Sequence, residues 1–405
     1  MRLGSANTYA NALQNIYTRQ TELSTQQEKL TSGKNINRVS DDPTGAAQAE
    51  RAMTRVTRVA TEQRALEIQR NSITMAESTL GDSTSTIQNL RELVVSAGNG
   101  SFNARDRATI AQKMTGLRDQ LFAQANRTDT NGIPLFGGLG GPSAPFIDVP
   151  GGVTFNGIAG QRASTEISVP GAMDGQAIWM NVPSGNGSFK VALPELPSVQ
   201  NTGTLWTDPG QVVSPTALTG NDYSVQFTVA AGVTTYNVFN DTLDPTHAGV
   251  PLLAAQPYVN GQTIQFDGMS FVAHGAPSNT DKVLISDSTP INIFQIIDDA
   301  VKSIDGAAGD SKLSHSLALA LKQIDAGMDR IQAARGQAGH WLNQADNIAN
   351  TQSGRTIQLS ADKSRAEDLD MVKGISDFSK FQTGYQAALQ SYAQVQKLSL
   401  FNYIN

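Results

Sequence analysis

Val59-Ala60-Thr61-Glu62-Gln63-Arg64-Ala65-Leu66 opens a run in which an apolar residue returns at every seventh position: Val59, Leu66, Ile73, Leu80, Ile87 and Val94. A companion row three residues further on holds Ala76, Ser83, Leu90 and Ala97. Together the rows form one stripe on a helix, sustained for several heptads. A helix from about Ala46 to Ala97 would be about 75 Å long at 1.5 Å per residue. It needs long partners, and two stretches qualify. One runs from Arg105 to Ala125, with Ile110, Met114, Leu117 and Leu121 at alternating four- and three-residue steps; the other follows Ser311, with Leu317, Leu321, Ile324, Met328, Ile331, Ala338, Leu342 and Ala345. The expectation is an antiparallel rod of three helices. Its core holds the six heptad residues with Leu317, Ile324 and Ile331, and Ile73 and Leu80 pack against the Leu317–Ile331 stretch.

Working outward, the helix boundaries carry their own signals. Asp41-Asp42-Pro43 reads as an N-cap carboxylate before a proline at the first helical position. Ser32-Gly33 is a stop for the preceding helix, and Asn103 with Asp106 is a variant capping box. The interval from Gly33 to Ser40 reads as a hinge.

The two ends of the chain carry the same kind of sequence. In the first helix Ile16, Leu23 and Leu30 form one heptad row, whereas Leu13, Gln20 and Gln27 form a half-polar one. In the last, Phe378, Phe381, Tyr385, Ala388, Tyr392, Val395 and Leu398 form a stripe interrupted by Gly374 and Gly384, each glycine costing about 1 kcal/mol relative to alanine. Helices of this kind are marginal alone. The expected role of both rows is an assembly seam, ordered when packed against its like.

The middle differs from both arms. Of 16 prolines only Pro43 lies outside the stretch from Pro134 to Pro290, and residues 142–287 carry 11 acidic and three basic side chains. Tyr223/Val225/Phe227/Val229 and Tyr236/Val238 alternate as strands, and Asp267-Gly268 between Ile264/Phe266 and Met269/Phe271 is a two-residue hairpin signal. Val153/Phe155, Ile178/Met180/Val182, Phe189/Val191/Leu193 and Val283/Ile285 are further strand candidates. A sandwich or small barrel is expected. The glycines of Gly137-Gly138-Leu139-Gly140-Gly141 read as a flexible connection into it. The fold class is therefore mainly α with an inserted β domain: 1–40 with 370–405 as a terminal coiled-coil domain, 41–136 with 290–369 as a helical rod, and 137–289 as an outer β domain.

Chemistry is not what this sequence advertises. The 405 residues include no cysteine, which excludes disulfides and thiol catalysis. His247, His274, His315 and His340 lack metal-ligand spacing, and no phosphate loop, dinucleotide fingerprint or nucleophile elbow is present. Asp298-Asp299 reads as a solvated helix face. No catalytic residue, metal or cofactor is expected. The net charge of −6 gives no nucleic-acid footprint, and no apolar run approaches membrane-spanning length. The start lacks the apolar core of a cleavable secretory signal.

Two motifs then point to a family. Leu30-Thr31-Ser32-Gly33-Lys34-Asn35-Ile36-Asn37-Arg38 followed by Ser40-Asp41-Asp42-Pro43 resembles the N-terminal signature of bacterial flagellins and their junction relatives, and Ser364-Arg365-Ala366-Glu367-Asp368-Leu369-Asp370 resembles the matching C-terminal one. Asn37, Arg38, Asp41, Asp42, Pro43, Arg365, Glu367 and Asp368 carry that resemblance. Within the flagellin superfamily the chain is most similar to the hook–filament junction proteins. The Ala125–Gly132 segment running into Leu135-Phe136-Gly137-Gly138, the Gly152–Gly157 segment and the tail Leu398–Ile404 support that choice. The resemblance implies export through the flagellar type III channel without a cleaved signal, and a ring of copies of this chain at the hook end. It further implies hook-associated protein 1 and flagellin as partners, and a chaperone on the C-terminal helix before export. A filament flagellin is the alternative; a ligand-binding or enzymatic β module on a helical stalk is a more distant one.

Overall fold

The computed structural model describes residues 5–194, 200–306 and 310–404, with only the backbone described at 5, 6, 8, 310, 395 and 397–404. Its helices are α1 (Ser5–Ser32), α2 (Pro43–Ala97), α3 (Ala104–Ala125), α4 (Ile293–Asp305), α5 (Asp310–Glu367) and α6 (Met371–Ile404). The chain divides into two compact units, Met1–Ala65 with Asn347–Asn405 and Leu66–Asp346. These divisions fall inside α2 and α5, not at the expected Ser40 and Asp370 boundaries. The Gly33–Ser40 interval explains the difference: it is hydrogen-bonded to residues 367–369 and groups with the helices on both sides of it.

In the first unit α1 and α6 run antiparallel, with Gln26 Nε2 donating to the Gly374 carbonyl at 3.0 Å and Tyr9 facing Tyr392 at the other end. Gly33, at φ 70°, ends α1. Asp42 caps α2, accepting the amides of Thr44 and Gly45 at 3.0 Å, and Pro43 occupies the first helical position. Asp41 does something else. It accepts the amides of Asn37 and Arg38 at 3.1 and 2.9 Å and closes the turn before the cap.

The second unit is built on the heptad stripe. Leu66, Ile73, Leu80, Ile87 and Val94 are buried, as are Leu317, Ile324 and Ile331 of α5. Ion pairs along the edges run antiparallel: Arg70–Asp346 at 3.1 Å, Glu77–Arg335 at 2.6 Å and Arg91–Asp325 at 2.7 Å. Ile73 lies between Arg70 and Glu77, so it sits level with the 335–346 stretch of α5; the expected partner stretch, Leu317–Ile331, lies further along. Polar pairs are set into the stripe and beside it, amid buried Ile110, Met114 and Leu121 of α3. Ser83 Oγ donates to Gln124 at 3.0 Å, Gln124 donates to Thr86 at 3.2 Å, and Ser72 donates to Asp129 at 3.0 Å. Asn103 and Asp106 form the reciprocal capping box of α3.

A fourth helix joins these three, and the sequence reading passed over it. Ile293, Phe294, Ile296, Ile297, Ala300 and Ile304 of α4 are all buried at helical spacing. Phe294 meets Phe122 of α3, Phe146 and Trp179, and Trp179 also packs edge-on against Phe136. Phe146 belongs to a hairpin of β1 (Phe146–Val149) and β2 (Gly152–Phe155). Residues Ile178 and Met180, expected in a strand, instead lie in a π-helical turn, Gln176–Met180, begun where Asp174 accepts the amide of Gln176 at 3.0 Å. Burying Trp179 between Phe136 and Phe294 decides the conformation against the local alternation.

The glycine-rich connection is packed, not loose. Gly138 donates to the Met173 carbonyl at 2.9 Å, Leu139 donates to Ile158 at 2.8 Å, and Ile158 donates to Gly140 at 2.6 Å. Gly138 has φ +68°, and a Cβ there would lie 2.2 Å from the Ile158 carbonyl oxygen. The glycine is required for backbone approach.

Beyond β3 (Val182–Pro183) lies the sandwich. One antiparallel sheet has the order β4-β12-β7-β8-β9, from β4 (Phe189–Ala192), β7 (Tyr223–Ala230), β8 (Val233–Asn240), β9 (Leu253–Pro257) and β12 (Lys282–Asp287). The other pairs β11 (Met269–His274) with β10 (Gln262–Phe266), β5 (Trp206–Thr207) and β6 (Gln211–Val212). Val225, Phe227, Val238 and Val283 share one core with Ile264, Phe271 and Ala273. Asp267 and Gly268, at φ 39° and 79°, make the expected tight hairpin. β13 (Pro290–Ile291) pairs with β3, bringing the exit of the sandwich beside its entrance.

Candidate assembly interface

The motif residues at the two ends of the chain meet within the first unit. The amide of Asn35 donates to the Glu367 carbonyl at 2.8 Å, and the amide of Leu369 donates to the Gly33 carbonyl at 2.9 Å. The two strands of chain between them form a one-residue antiparallel bridge, Lys34 to Asp368. Lys34 pairs with the Glu367 carboxylate, which raises the Lys34 ammonium above its ordinary pKa. Asp368 accepts from Ser364. Ile36, buried, closes the joint from inside. The expected hinge is therefore a clasp between α1, α2, α5 and α6. Two motif residues stand apart from it: Arg365 pairs with Asp362 on its own helix face, and Arg38 reaches Glu28 of α1 at 3.6 Å.

Along α1 and α6, Ile16, Leu23, Leu30, Phe378, Phe381, Tyr385, Ala388 and Tyr392 are each half-buried, and none is fully enclosed. Leu13 is exposed, so the half-polar row stays outside the pair. The side chains of Val395 and Leu398 lie outside the described residues. Gly374 is a seat for packing. A Cβ there would lie 2.9 Å from Leu369 Cδ2 and 3.2 Å from Leu30 Cδ2. At the far end Tyr9 and Tyr392 stand 5.3 Å apart between centroids, and Gln396 Nε2 donates to the Tyr9 hydroxyl at 2.8 Å. The hydrogen bond from Tyr392 lowers the Tyr9 pKa, and the same bond raises that of Tyr392.

The pair leaves apolar surface uncovered. Tyr17 and Ile375 are each 58% exposed and Val372 is 82% exposed. A two-helix hairpin with this much open apolar side chain has a second face suited to further helices. Val59, the first heptad residue, is buried in the same unit, as are Ile348 and Leu359.

In the second unit the charged node is Arg118, which the sequence reading did not single out. Its guanidinium binds Asp298 through Nε at 3.1 Å and Nη2 at 3.2 Å, and binds Asp148 through Nη1. Arg118 holds the Asp148 carboxyl below its ordinary pKa, whereas burial dominates at Asp298 and pushes it up. Arg118 thus clamps α3 to α4 and β1, and Asp298 is one of its two held carboxylates, not the solvated face expected of it. Asp299, beside it, accepts from Gln295 and does face solvent. Of the histidines, His315 is buried against Thr207, His247 binds Asp241 at 2.7 Å, His274 stacks on Trp206 and His340 is exposed. Among the described residues no cluster could hold a metal ion, and no helix is long and apolar enough to cross a membrane.

Comparison with known proteins follows the same lines. The N-terminal helical region of bacterial flagellin matches residues 5–140, and its C-terminal helical region matches residues 321–404, together more than half of the chain. Over 155 residues the chain is 34% identical to flagellar hook-associated protein 3 of Salmonella typhimurium, which covers 38% of this chain and 48% of that protein. The match thus spans about half the length of that relative. Flagellin A of Vibrio anguillarum is 26% identical over 397 residues, 93% of this chain and 92% of that one. The crystal structure of the flagellar junction protein FlgL from Legionella pneumophila superposes with a TM-score of 0.66 at 25% identity, covering 74% of this chain and 99% of that one. Both terminal helical regions, and the clasp that joins their motifs, place this chain in the bacterial flagellin family.

Proposed function

We propose that this chain is the structural subunit of the hook–filament junction, a hook-associated protein 3, with a geometric and not a chemical task. The observation that carries the reading is the joined pair of ends. Motifs separated by more than 300 residues close one clasp, and the helices beyond it expose apolar faces that copies of the chain would cover in a ring. The Leu66–Asp346 unit supplies a helical body, and the sandwich forms an outer domain. In this role the ring takes hook-associated protein 1 on one side and flagellin on the other. The likeness to the Legionella junction protein and to hook-associated protein 3 supports that choice over the filament. Export through the flagellar channel, with a chaperone on α6, belongs to the same reading.

The Vibrio flagellin match, which runs nearly end to end, supports a second reading as a filament subunit. Location separates the two. A tag placed in the exposed β8–β9 connection should label a single band at the hook–filament boundary if the chain is a junction subunit. Label along the whole filament would overturn the junction reading.

A further inference from the structure

A cavity of about 480 Å³ lies in the second unit where the sandwich edge meets α4 and α5. Its charges are unlike those of the surrounding block. Lys190 on β4, Lys302 on α4 and Lys312 on α5 line it, and the one acid among its described lining residues, Asp299, is already engaged by Gln295 at 2.7 Å and by Lys302 at 3.8 Å. The sandwich sequence around it is strongly acidic, so a basic cavity here is a local reversal of sign. Its walls are otherwise mixed: Ile291, Ile296 and Leu319 supply apolar surface, while Asn201, Ser316 and Gln323 are polar.

His315 adds a second, independent feature. It lines the cavity and is only 6% exposed, and its Nδ1 lies 3.1 Å from the carbonyl oxygen of Thr207. The Thr207 hydroxyl also lies 3.1 Å from Nδ1; a carbonyl only accepts and a hydroxyl can accept, so the tautomer with hydrogen on Nδ1 satisfies both contacts and leaves Nε2 bare. Nε2 has no hydrogen-bond partner among the described residues. Burial lowers the His315 pKa, which keeps the ring neutral and Nε2 an acceptor at neutral pH. The cavity therefore offers three lysine ammonium groups at its walls, of which Lys312 also reaches Gln200 at 3.4 Å and Lys302 reaches Asp299, and one acceptor on a buried ring.

We propose that this cavity binds a small multivalent oxyanion that also carries a hydroxyl group, its anionic groups meeting Lys190, Lys302 and Lys312 and its hydroxyl donating to His315 Nε2. The volume suits a ligand of a dozen or so heavy atoms. Carboxylate and phosphate share the required chemistry, and the choice of probe separates them. The site is independent of the junction role.

Titration calorimetry on the full chain tests it, with citrate as the carboxylate probe, glycerol 3-phosphate as the phosphate probe, and tricarballylate, which is citrate without its hydroxyl. At least one hydroxylated probe should bind saturably at low ionic strength, and the one that binds names the anionic group. The double variant Lys190→Gln/Lys312→Gln, checked for an unchanged melting curve, should weaken that binding at least tenfold. Citrate, where it binds, should exceed tricarballylate. Absence of binding by both hydroxylated probes, or equal affinity in the double variant, would overturn the site. Equal affinity for citrate and tricarballylate would remove His315 from it.

Discussion

The amide of Asn35 and the carbonyl of Glu367 lie 2.8 Å apart, although 332 positions separate them in the chain. A backbone bond of this kind needs no particular side chain at either end. It needs the two stretches to arrive together, which the adjacent Leu369–Gly33 bond and the buried Ile36 secure. Replacing Asn35 with proline removes the donor while keeping the side of the joint exposed. The expected cost to the first unit is about 1–3 kcal/mol, from the lost bond, which leaves the Glu367 carbonyl only the longer Ile36 amide at 3.4 Å, and from a restricted φ. Amide exchange across Leu30–Ile36 should accelerate while exchange within Leu66–Asp346 stays unchanged. Unaltered protection at both places would show that the clasp contributes nothing.

Ile73 has no exposed surface in the helical body. Ile73→Ala should destabilise the second unit by about 2–5 kcal/mol, because transfer energy is lost and a cavity is left beside the 335–346 stretch of α5. Chemical denaturation followed by far-ultraviolet circular dichroism reads the loss. A shift within error of zero would mean that this stripe residue is not enclosed.

Arg118 holds two carboxylates at once, and its own side chain is 10% exposed. Arg118→Ala should cost about 2–3 kcal/mol, less than a fully enclosed pair, because Asp148 is partly open to solvent. The pH dependence follows from the two shifts. Asp148 titrates below its ordinary 3.8, so its contribution is complete above pH 3.8 and is lost as pH falls through the lowered value. Asp298 is raised by burial and acts oppositely, its penalty appearing as pH rises through a value above 3.8. The stability difference between the native chain and Arg118→Ala should therefore shrink as pH falls below 3.8. A constant difference down to strong acid would contradict the Asp148 assignment.

Gly138→Ala tests the packed connection. The left-handed backbone alone costs about 1–2 kcal/mol for a residue with a Cβ, and the contact with the Ile158 carbonyl adds to it. The 137–175 segment should become open to limited proteolysis while the sandwich stays intact. Resistance equal to that of the native chain would restore the view of this run as a loose linker.

Ser184 and Thr289 are hydrogen-bonded at 3.0 Å, so the sandwich enters and leaves at one place. Excising Gly185–Ser288 and joining Ser184 to Thr289 with a short glycine-serine linker should keep the four-helix packing, the Phe146/Trp179/Phe294 contacts and junction assembly. Cutting at 142 and 287 instead would remove Phe146 and Trp179 from α4 and should lose helical structure. Equal behaviour of the two deletions would show that the β1–β3 segment is not part of the helical core.

Periodic elements were legible because burial repeats along them. The α2 stripe, the cap at Asp42-Pro43, the Asp267-Gly268 hairpin and the alternating strands of the sandwich each express a local rule that the structure also obeys. What escaped depends on contacts distant in sequence. Ile178, Met180 and Val182 stand at the two-residue spacing of a strand, yet Trp179 is drawn between Phe136 and Phe294 and winds the segment into a turn. Gly137–Gly141 has the composition of a linker, and only the approach of Ile158 shows why glycine is needed. Arg118 carries no local signal on α3, because its partners Asp148 and Asp298 come from β1 and α4. The α4 helix itself was readable from Ile293, Ile296, Ile297, Ala300 and Ile304, whose spacing is helical. Asp298-Asp299 drew the reading to its outer face instead.

The junction role is tested most directly by the fate of flagellin in motile cells from which this chain has been deleted. The account predicts complete hooks without filaments, and unpolymerised flagellin shed into the medium, with filaments restored by the full chain but not by a version carrying Asn35→Pro. Normal filaments in the deletion strain, or the loss of hooks along with filaments, would contradict it.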